Sequence, residues 1–334
     1  MRRVKLYMQD TATQFKTNTT TLKRAGDTYY DLAKSSNFDY VKIAKEQQSQ
    51  VLTLLKQART TLTTASITYS QMGGIVAGVQ SLADYDVILA SGVKGSGSGA
   101  DDNDPGTNQG TVVPFDLKLP DGRVLTTPGN LFDVTESTLW GFVPQYSTKV
   151  SFDYHTGQQA VGNVLPDANV LKSAADAMDQ YTGELLKAVQ QWQPTLSDVF
   201  NALLQDLISV KAFFDSWESV LFVADDATRQ FDMSVHSRLD DLIDAMSGWQ
   251  KIYENISPLA RTVDRMQDGQ ITKGLSDLKA YISTIRSHYV QDPQSKDFTL
   301  EKVDLTSSDA ENRANAVYDQ IVRVATKLKV AIQQ

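Results

Sequence analysis

TTLTTASITYSQMGGIVAGVQSLA, residues 60–83, is a stretch without a charged residue in a chain of which 22% is Asp, Glu, Lys or Arg. Threonine, serine, glutamine and glycine interrupt its apolar residues, so it is too polar to span a bilayer alone. Uncharged polar groups are nevertheless far less costly to bury than ions. Small residues in it would let another helix approach closely; they are Gly73, Gly74, Ala77 and Gly78. The segment is therefore either the central helix of a helical bundle or a surface that contacts a partner or lipid.

Helical periodicity surrounds this segment. Apolar residues recur at helical spacing over about 11–89, among them Leu32, Tyr40 and Ile43, and then Val51, Leu54, Leu55, Ala58 and Leu62. We expect two helices, the second of them long. The break falls at KSSNFD, residues 34–39, where Ser36 or Asn37 would cap the second helix.

The helical periodicity of the sequence is lost over about 90–165. A loop rich in glycine, serine and aspartate covers residues 90–110, and its GSGSG at 95–99 is a spacer. Alternating apolar residues then predict strands; they are Phe115, Leu117 and Leu119, and Val150, Phe152 and Tyr154. LPDGRV, residues 119–124, is typical of a hairpin turn because aspartate and glycine tolerate positive φ. We expect a small β-rich insertion of three or four strands.

Helical periodicity returns from 167 to the end. We expect breaks near Pro194, within 223–230, within 255–261 and across 289–311, with Ser307 or Ser308 capping the last helix. The predicted fold is mainly α, an elongated antiparallel helical bundle or coiled coil with an α+β head. Its predicted parts are the N-terminal helices (1–90), the loop with the β-rich insertion (91–165) and the C-terminal helices (166–334).

Composition excludes several classes of function. The net charge of −8 and a pI near 5 argue against nucleic-acid binding. The absence of cysteine excludes disulfides and thiolate zinc sites. MRRVKLYMQD at the start lacks the apolar core of a signal peptide, and no run of about 20 apolar residues predicts a membrane-spanning helix. If the protein is exported, we expect no cleaved signal.

No catalytic, cofactor-binding or metal-binding residue is predicted, so we expect a protein that is not an enzyme. His155, His236 and His288 each lie alone in the sequence. The carboxylates at 101, 102 and 104 do not fit a twelve-residue calcium loop. Asp240 and Asp244 share a helix face, which we interpret as a solvent-facing acidic edge. The hydrolase, nucleotide and dinucleotide glycine motifs are all absent.

Two segments supply candidate contacts with a membrane or a partner, which would form after a rearrangement; the alternative for both is the core of a bundle. In the uncharged segment the candidates are Ile67, Tyr69, Met72, Gly73, Gly74, Ile75, Val76 and Val79. In the aromatic-rich segment 197–226 they are Phe213, Phe214, Trp217 and Phe222.

The layout of helices, β-containing insertion and further helices, together with the lack of cysteine, resembles that of the bacterial α-helical pore-forming toxins. The resemblance is one of architecture over the whole chain. The insertion FDLKLPDGRVLTTPGN, residues 115–130, is polar where that family has a hydrophobic hairpin. The resemblance therefore implies a component that needs a second protein to insert into a membrane.

A shorter resemblance concerns ANAVYDQIVRV, residues 314–324, which is similar to the C-terminal helix of type III secretion needle-tip proteins. The matching residues are Ala314, Asn315, Tyr318, Asp319, Val322 and Val324. Both resemblances imply a secreted, non-enzymatic virulence protein that assembles with itself or a second protein and is associated with host-membrane lipids when active. Neither implies a cofactor or nucleic acid. A structural or adhesion protein of an extracellular assembly is a third hypothesis.

Overall fold

The structure, a computed structural model, describes residues 1–92, 115–126, 128–154 and 163–332. The protein is mainly α, with two small antiparallel sheets in the described part. The predicted loop at 90–110, from residue 93 onward, and His155 lie outside the described residues. The chain forms two compact units. Unit 1 comprises 1–11, 67–83 and 188–334, and unit 2 comprises 12–66 and 84–187. The predicted divisions at 90 and 165 stay predictions.

Helices account for most of the described chain. The first six are α1 (Arg2–Ser35), α2 (Tyr40–Glu46), α3 (Gln48–Gly78), α4 (Ala83–Asp86), α5 (Leu131–Trp140) and α6 (Ala168–Gln191). The next six are α7 (Leu196–Ile208), α8 (Val210–Phe222), α9 (Asp226–Ser234), α10 (Arg238–Val263), α11 (Arg265–Gln291) and α12 (Leu300–Lys327). A π-helical turn follows α4 at Val87–Ser91, and a 3₁₀ turn occupies Pro144–Tyr146.

The strands form two antiparallel pairs: β1 (Asp116–Lys118) with β2 (Val124–Thr126), and β3 (Ser147–Ser151) with β4 (Val164–Pro166). The predicted turn between β1 and β2 is confirmed: Gly122 has a φ of 89°, and its N–H donates to the carbonyl of Leu119 at 3.0 Å. The strand expected through Val150, Phe152 and Tyr154 ends earlier, at Ser151.

Several expected helix boundaries are wrong. The N-terminal region contains α1, α2 and α3 rather than two helices, and α1 already begins at Arg2. Asp39, not Ser36 or Asn37, caps α2 by accepting a hydrogen bond from the backbone N–H of Lys42. The insertion also contains α5, which the alternation of its neighbours did not predict. Asn130 caps α5 by accepting from the N–H of Asp133, and this local signal was present in the sequence.

The C-terminal half differs from expectation at several places. Helix breaks at 209, 235–237 and 264 were not predicted. The helix α10 continues through Pro258, so the break expected within 255–261 does not occur. Proline has no N–H to donate to the carbonyl four residues earlier, that of Glu254; both residues are exposed, so water can hydrate this carbonyl. The helix α12 begins at Leu300, and Ser307, predicted as a cap, is buried inside it. The breaks near Pro194 and at 223–225 are confirmed.

Unit 2 is held together by an ion network and a small apolar core. Lys23 and Lys172 each pair with both Asp27 and Asp176, which joins α1 to α6 in antiparallel order. Beside them, the β1–β2 hairpin packs against α5 and α6. This core contains Leu117, Leu119, Val134, Tyr146, Val170 and Ala174.

In unit 1, α10, α11 and α12 pack in antiparallel succession. Between α10 and α11, the contacts of Arg286 with Asp240 and of Tyr253 with Asp268 run in opposite order along the two helices. Between α11 and α12 the same holds: Arg313 lies over the ring of Tyr281, and Lys327 pairs with Asp264. These pairs fix the register of the three helices, against which α7 and α8 also pack.

Candidate functional site

The structure places most candidates of the uncharged segment in contact with other side chains rather than with solvent. Met72, Ile75 and Val76 are fully buried, and Tyr69 and Val79 are nearly so. Ile67, Gly73 and Gly74 are half-buried. These residues therefore act as core in this conformation, and contact with a membrane or partner after a rearrangement stays a prediction.

Glycines bring α7 close to the end of α3. A Cβ built on Gly74 would lie 2.0 Å from a carboxylate oxygen of Asp206, and one on Gly78 would lie 3.0 Å from the Cα of Ala202. The two contacts run in opposite order, so α7 is antiparallel to this part of α3. Any larger side chain at Gly74 would displace Asp206, which is 7% exposed. Gly73, by contrast, faces only Tyr69 of its own helix.

A second close approach joins α3 to α10. A Cβ built on Gly248 would lie 2.0 Å from the carbonyl oxygen of Gln71. The same oxygen accepts a hydrogen bond from the hydroxyl of Tyr7 at 2.9 Å. Burial raises the pKa of Tyr7 to about 12, so its hydroxyl keeps its proton near neutral pH. The uncharged segment thus makes close backbone approaches to α7 and α10 in addition to burying its apolar side chains.

The exposed positions of the segment are uncharged as well. Thr60 and Thr64 are exposed, and the Thr64 hydroxyl donates back to the carbonyl of Thr60 at 2.9 Å. Earlier in the same helix, the exposed face carries Lys56. A soluble amphipathic helix normally has charges on its solvent side. The end of α3, by which we mean residues 60–78, therefore lacks charge both on its buried side and on its exposed side.

The aromatic candidates of α8 fall into two groups. Phe214 and Trp217 are fully buried, whereas Phe213 is half-buried and Phe222 is 40% exposed. The Trp217 ring makes edge contacts with Phe214, Tyr289 and Phe298, at centroid distances of 6.1, 5.4 and 6.0 Å. Trp217 is thus part of an aromatic cluster of the core, and Phe222 lies beside the exposed Val223 at the end of α8.

The acidic edge expected at Asp240 and Asp244 is wrong, because neither carboxylate is on an exposed residue. Both oxygens of Asp240 accept from the guanidinium of Arg286 at 2.9 Å. His236 Nε2 lies 2.7 Å from the carboxylate of Asp241. Arg286 also donates to the carbonyl of Met233 at 3.1 Å. This cluster joins the end of α9 to α10 and α11.

Asp232 is the buried acid of this cluster, and the sequence did not single it out. Its carboxylate accepts from the Ser237 hydroxyl at 3.1 Å and from the Arg238 backbone N–H at 2.9 Å. Burial raises the pKa of Asp232 to about 6, and that of Asp244 also to about 6. Burial opposes ionisation of Asp241 too, but His236 and Arg238 outweigh it and hold the pKa of Asp241 below its usual value.

Neither a metal site nor a membrane span is found in the described part of the chain. No group of three or more His, Asp or Glu side chains there is arranged to hold a metal ion. The carboxylates at 101, 102 and 104 lie outside the described residues. No described helix combines the length and the hydropathy that crossing a membrane requires. The geometry therefore provides packing surfaces and ion clusters.

Comparison with known proteins gives no assignment: neither a protein-family model nor a curated protein matches this chain.

Proposed function

We propose that this protein is a non-enzymatic component of an α-helical pore-forming toxin, which is exported, assembles with itself or a second protein, and acts on a host membrane. The antiparallel helical bundle that the sequence predicts is part of this proposal. The observation that carries it is the absence of charge on both the buried and the exposed side of the end of α3. The resemblance in layout to that toxin family supports the same class.

The physical reason lies in the cost of desolvation. Moving an ion out of water costs several kcal/mol unless it is paired. The exposed Thr60 and Thr64 would move into a protein interface or the headgroup region at much lower cost, because neither is charged and the Thr64 hydroxyl bonds to its own helix. The end of α3 can thus exchange its present neighbours for lipid or another copy without burying a charge.

A rearrangement is required, because Met72, Ile75 and Val76 are buried in the present conformation. Release of α7 and α10 from α3 would expose these side chains together. Their apolar area would then favour contact with lipid or with a second copy of the chain. The polar hairpin at 115–126 carries no apolar tip that could lead insertion, which supports the need for a second component.

Dye leakage from liposomes tests the proposal. The purified chain is added alone and then together with the products of neighbouring genes, and bound protein is followed by sedimentation. The informative variant is Thr64→Lys, which places a charge on the exposed side of the uncharged segment. Its matched control is Thr53→Lys: Thr53 is exposed on the same helix and donates to the carbonyl four residues earlier at the same distance of 2.9 Å as Thr64 does.

We expect leakage with the wild type, little with Thr64→Lys and wild-type leakage with Thr53→Lys, while both variants keep wild-type stability. Equal leakage with the two variants would remove the end of α3 from the mechanism. If no lipid and no partner gives leakage or binding, the pore-forming function is wrong. Self-association under those conditions would instead support the hypothesis of a structural or adhesion protein. Capture of the chain by a secretion needle would support the hypothesis of a needle-tip protein.

A further inference from the structure

Four chain segments meet at one end of unit 1. The side chain of Lys5 in α1 donates to the carbonyl of Trp192 at 2.6 Å, and Arg2 lines one groove with Gln193. These contacts place the first turns of α1 beside the connection between α6 and α7.

The other two segments join through hydrogen bonds and an ion pair. The hydroxyl of Ser197 donates to the carbonyl of Ala331, which lies after α12. Lys327 of α12 pairs with Asp264 in the turn between α10 and α11. We call the four segments, residues 1–6, 192–198, 259–266 and 327–332, the basic end of unit 1.

Positive charge is concentrated in the basic end, although the whole chain has a net charge of −8. Its cationic residues are Arg2, Arg3, Lys5, Arg261, Arg265, Lys327 and Lys329. Its acidic residues are Asp198, in the capping box of α7, and Asp264, the N-cap of α11. Arg261 is paired with Asp268, just beyond these segments, at 2.7 Å. No described acidic residue forms an ion pair with Arg2, Arg3, Arg265 or Lys329, and all four are exposed. The charge of these side chains is therefore available to an external anion.

Exposed apolar side chains accompany this charge. Met266 is 71% exposed and Val263 36%, and together with the exposed Leu259 they lie where α10 ends and α11 begins; we call these three residues the apolar turn. Arg261 and Arg265 lie between them in sequence. Leu6 of α1 is 47% exposed at the same end. Cationic residues beside apolar ones are the combination that binds the surface of an anionic bilayer, where the charges meet headgroups and the apolar groups enter the acyl boundary.

We propose that the basic end is the site at which the protein binds membranes containing anionic phospholipids. The inference deepens the proposed function, on which it rests, by naming the lipid class and the surface that meets it first. Its positive charge is complementary to an anionic bilayer. A nucleic acid is also anionic, but its phosphates make no apolar contact with Val263 and Met266, so the apolar turn favours a bilayer. Docking at this end would precede any rearrangement of the uncharged segment.

Sedimentation with vesicles tests this assignment. Vesicles of phosphatidylcholine, with and without phosphatidylserine, are titrated with the full chain at low and high salt. The variants are Arg265→Glu for the charge and Val263→Ser/Met266→Ser for the apolar turn. The matched control is Lys296→Glu: Lys296 is exposed in the connection after α11, one helix length from the turn. Circular dichroism verifies that every variant is folded.

We expect binding only to vesicles with phosphatidylserine, loss of binding at high salt, and an affinity at least about tenfold lower for the charge variant. The serine variant should also bind more weakly, and Lys296→Glu should bind as the wild type. Equal binding to both vesicle types, equal weakening by Lys296→Glu, or tighter binding to an RNA oligonucleotide than to vesicles would overturn the assignment. Binding without leakage would leave it intact and count only against the pore-forming function.

Discussion

Gly248 of α10 lies so close to α3 that a Cβ built on it would be 2.0 Å from the carbonyl oxygen of Gln71. Real side chains do not tolerate such a distance, and the obstacle is backbone rather than a movable side chain. The contact explains why a helix that carries large core residues such as Trp249 and Ile252 has glycine at this one position. The end of α3 and the middle of α10 are matched in shape.

This contact predicts the effect of Gly248→Ala. The added methyl group must push α10 away from α3, so we expect the free energy of unfolding to fall by about 1–3 kcal/mol. Urea unfolding measures it. The matched control is Gly269→Ala in α11, where nothing lies within 4 Å of the new Cβ. Alanine there should stabilise by up to about 1 kcal/mol because it favours the helix. Opposite signs for the two variants are the expected result, and equal signs would contradict the close approach.

In unit 2, Arg59 makes a testable buried contact. Its guanidinium lies 3.8 Å from the ring centroid of Tyr154 and donates to the carbonyl of Leu139 at 2.7 and 3.1 Å. Burial removes water from the charge of Arg59 and thereby lowers its pKa. Lysine has neither the planar fork nor the stacking surface, so Arg59→Lys should lower the free energy of unfolding by about 1–3 kcal/mol. Arg24→Lys, at an exposed position of α1, should leave it unchanged; similar losses in both variants would refute the proposed role of the fork.

Local signals in the sequence predicted local structure. The Asp121–Gly122 turn was predicted because a tight hairpin depends on those two residues alone. Gly74 and Gly78 were recognised as sites of close helix approach, but their neighbours Asp206 and Ala202 lie more than a hundred residues away, beyond any local signal. Asp240 and Arg286 are 46 residues apart, a separation that is also beyond local sequence signals, so their pairing was not predicted. The prediction that Ser307 caps α12 is wrong because serine also occurs inside helices, where burial against neighbours outweighs its preference for caps.

Asp232 predicts a pH dependence of stability. Burial raises the pKa of its carboxyl to about 6 in the folded protein, against about 3.9 in an unfolded chain. Between these values the folded state binds more protons, so stability falls as the pH rises through this window. We expect the free energy of unfolding to increase when the pH is lowered from about 7.5 to about 5, by on the order of 1–3 kcal/mol from this group. Urea unfolding at both pH values measures it.

Asp232→Asn should reduce this increase, because asparagine does not titrate and keeps an oxygen to accept from Ser237. Some increase should remain, since burial also raises the pKa of Asp244 to about 6. Asp232→Asn/Asp244→Asn should remove most of it. A wild type that loses stability over the same pH range would show that Asp232 is ionised without cost, and the inferred desolvation would be wrong.

Trp217 and Phe222 distinguish the two roles considered for α8, which are a helix of the core and a surface that contacts lipid or a partner. Trp217 is fully buried among Phe214, Tyr289 and Phe298, so Trp217→Ala should lower the free energy of unfolding by about 3–5 kcal/mol. Phe222 is 40% exposed, and Phe222→Ser should cost less than about 1 kcal/mol. If α8 meets lipid during pore formation, Phe222→Ser should nevertheless reduce liposome leakage, because serine loses the apolar area that an interface would bury. Wild-type leakage by a stable Phe222→Ser protein would restrict α8 to a core helix, and the membrane contact would then have to come from the uncharged segment or the basic end.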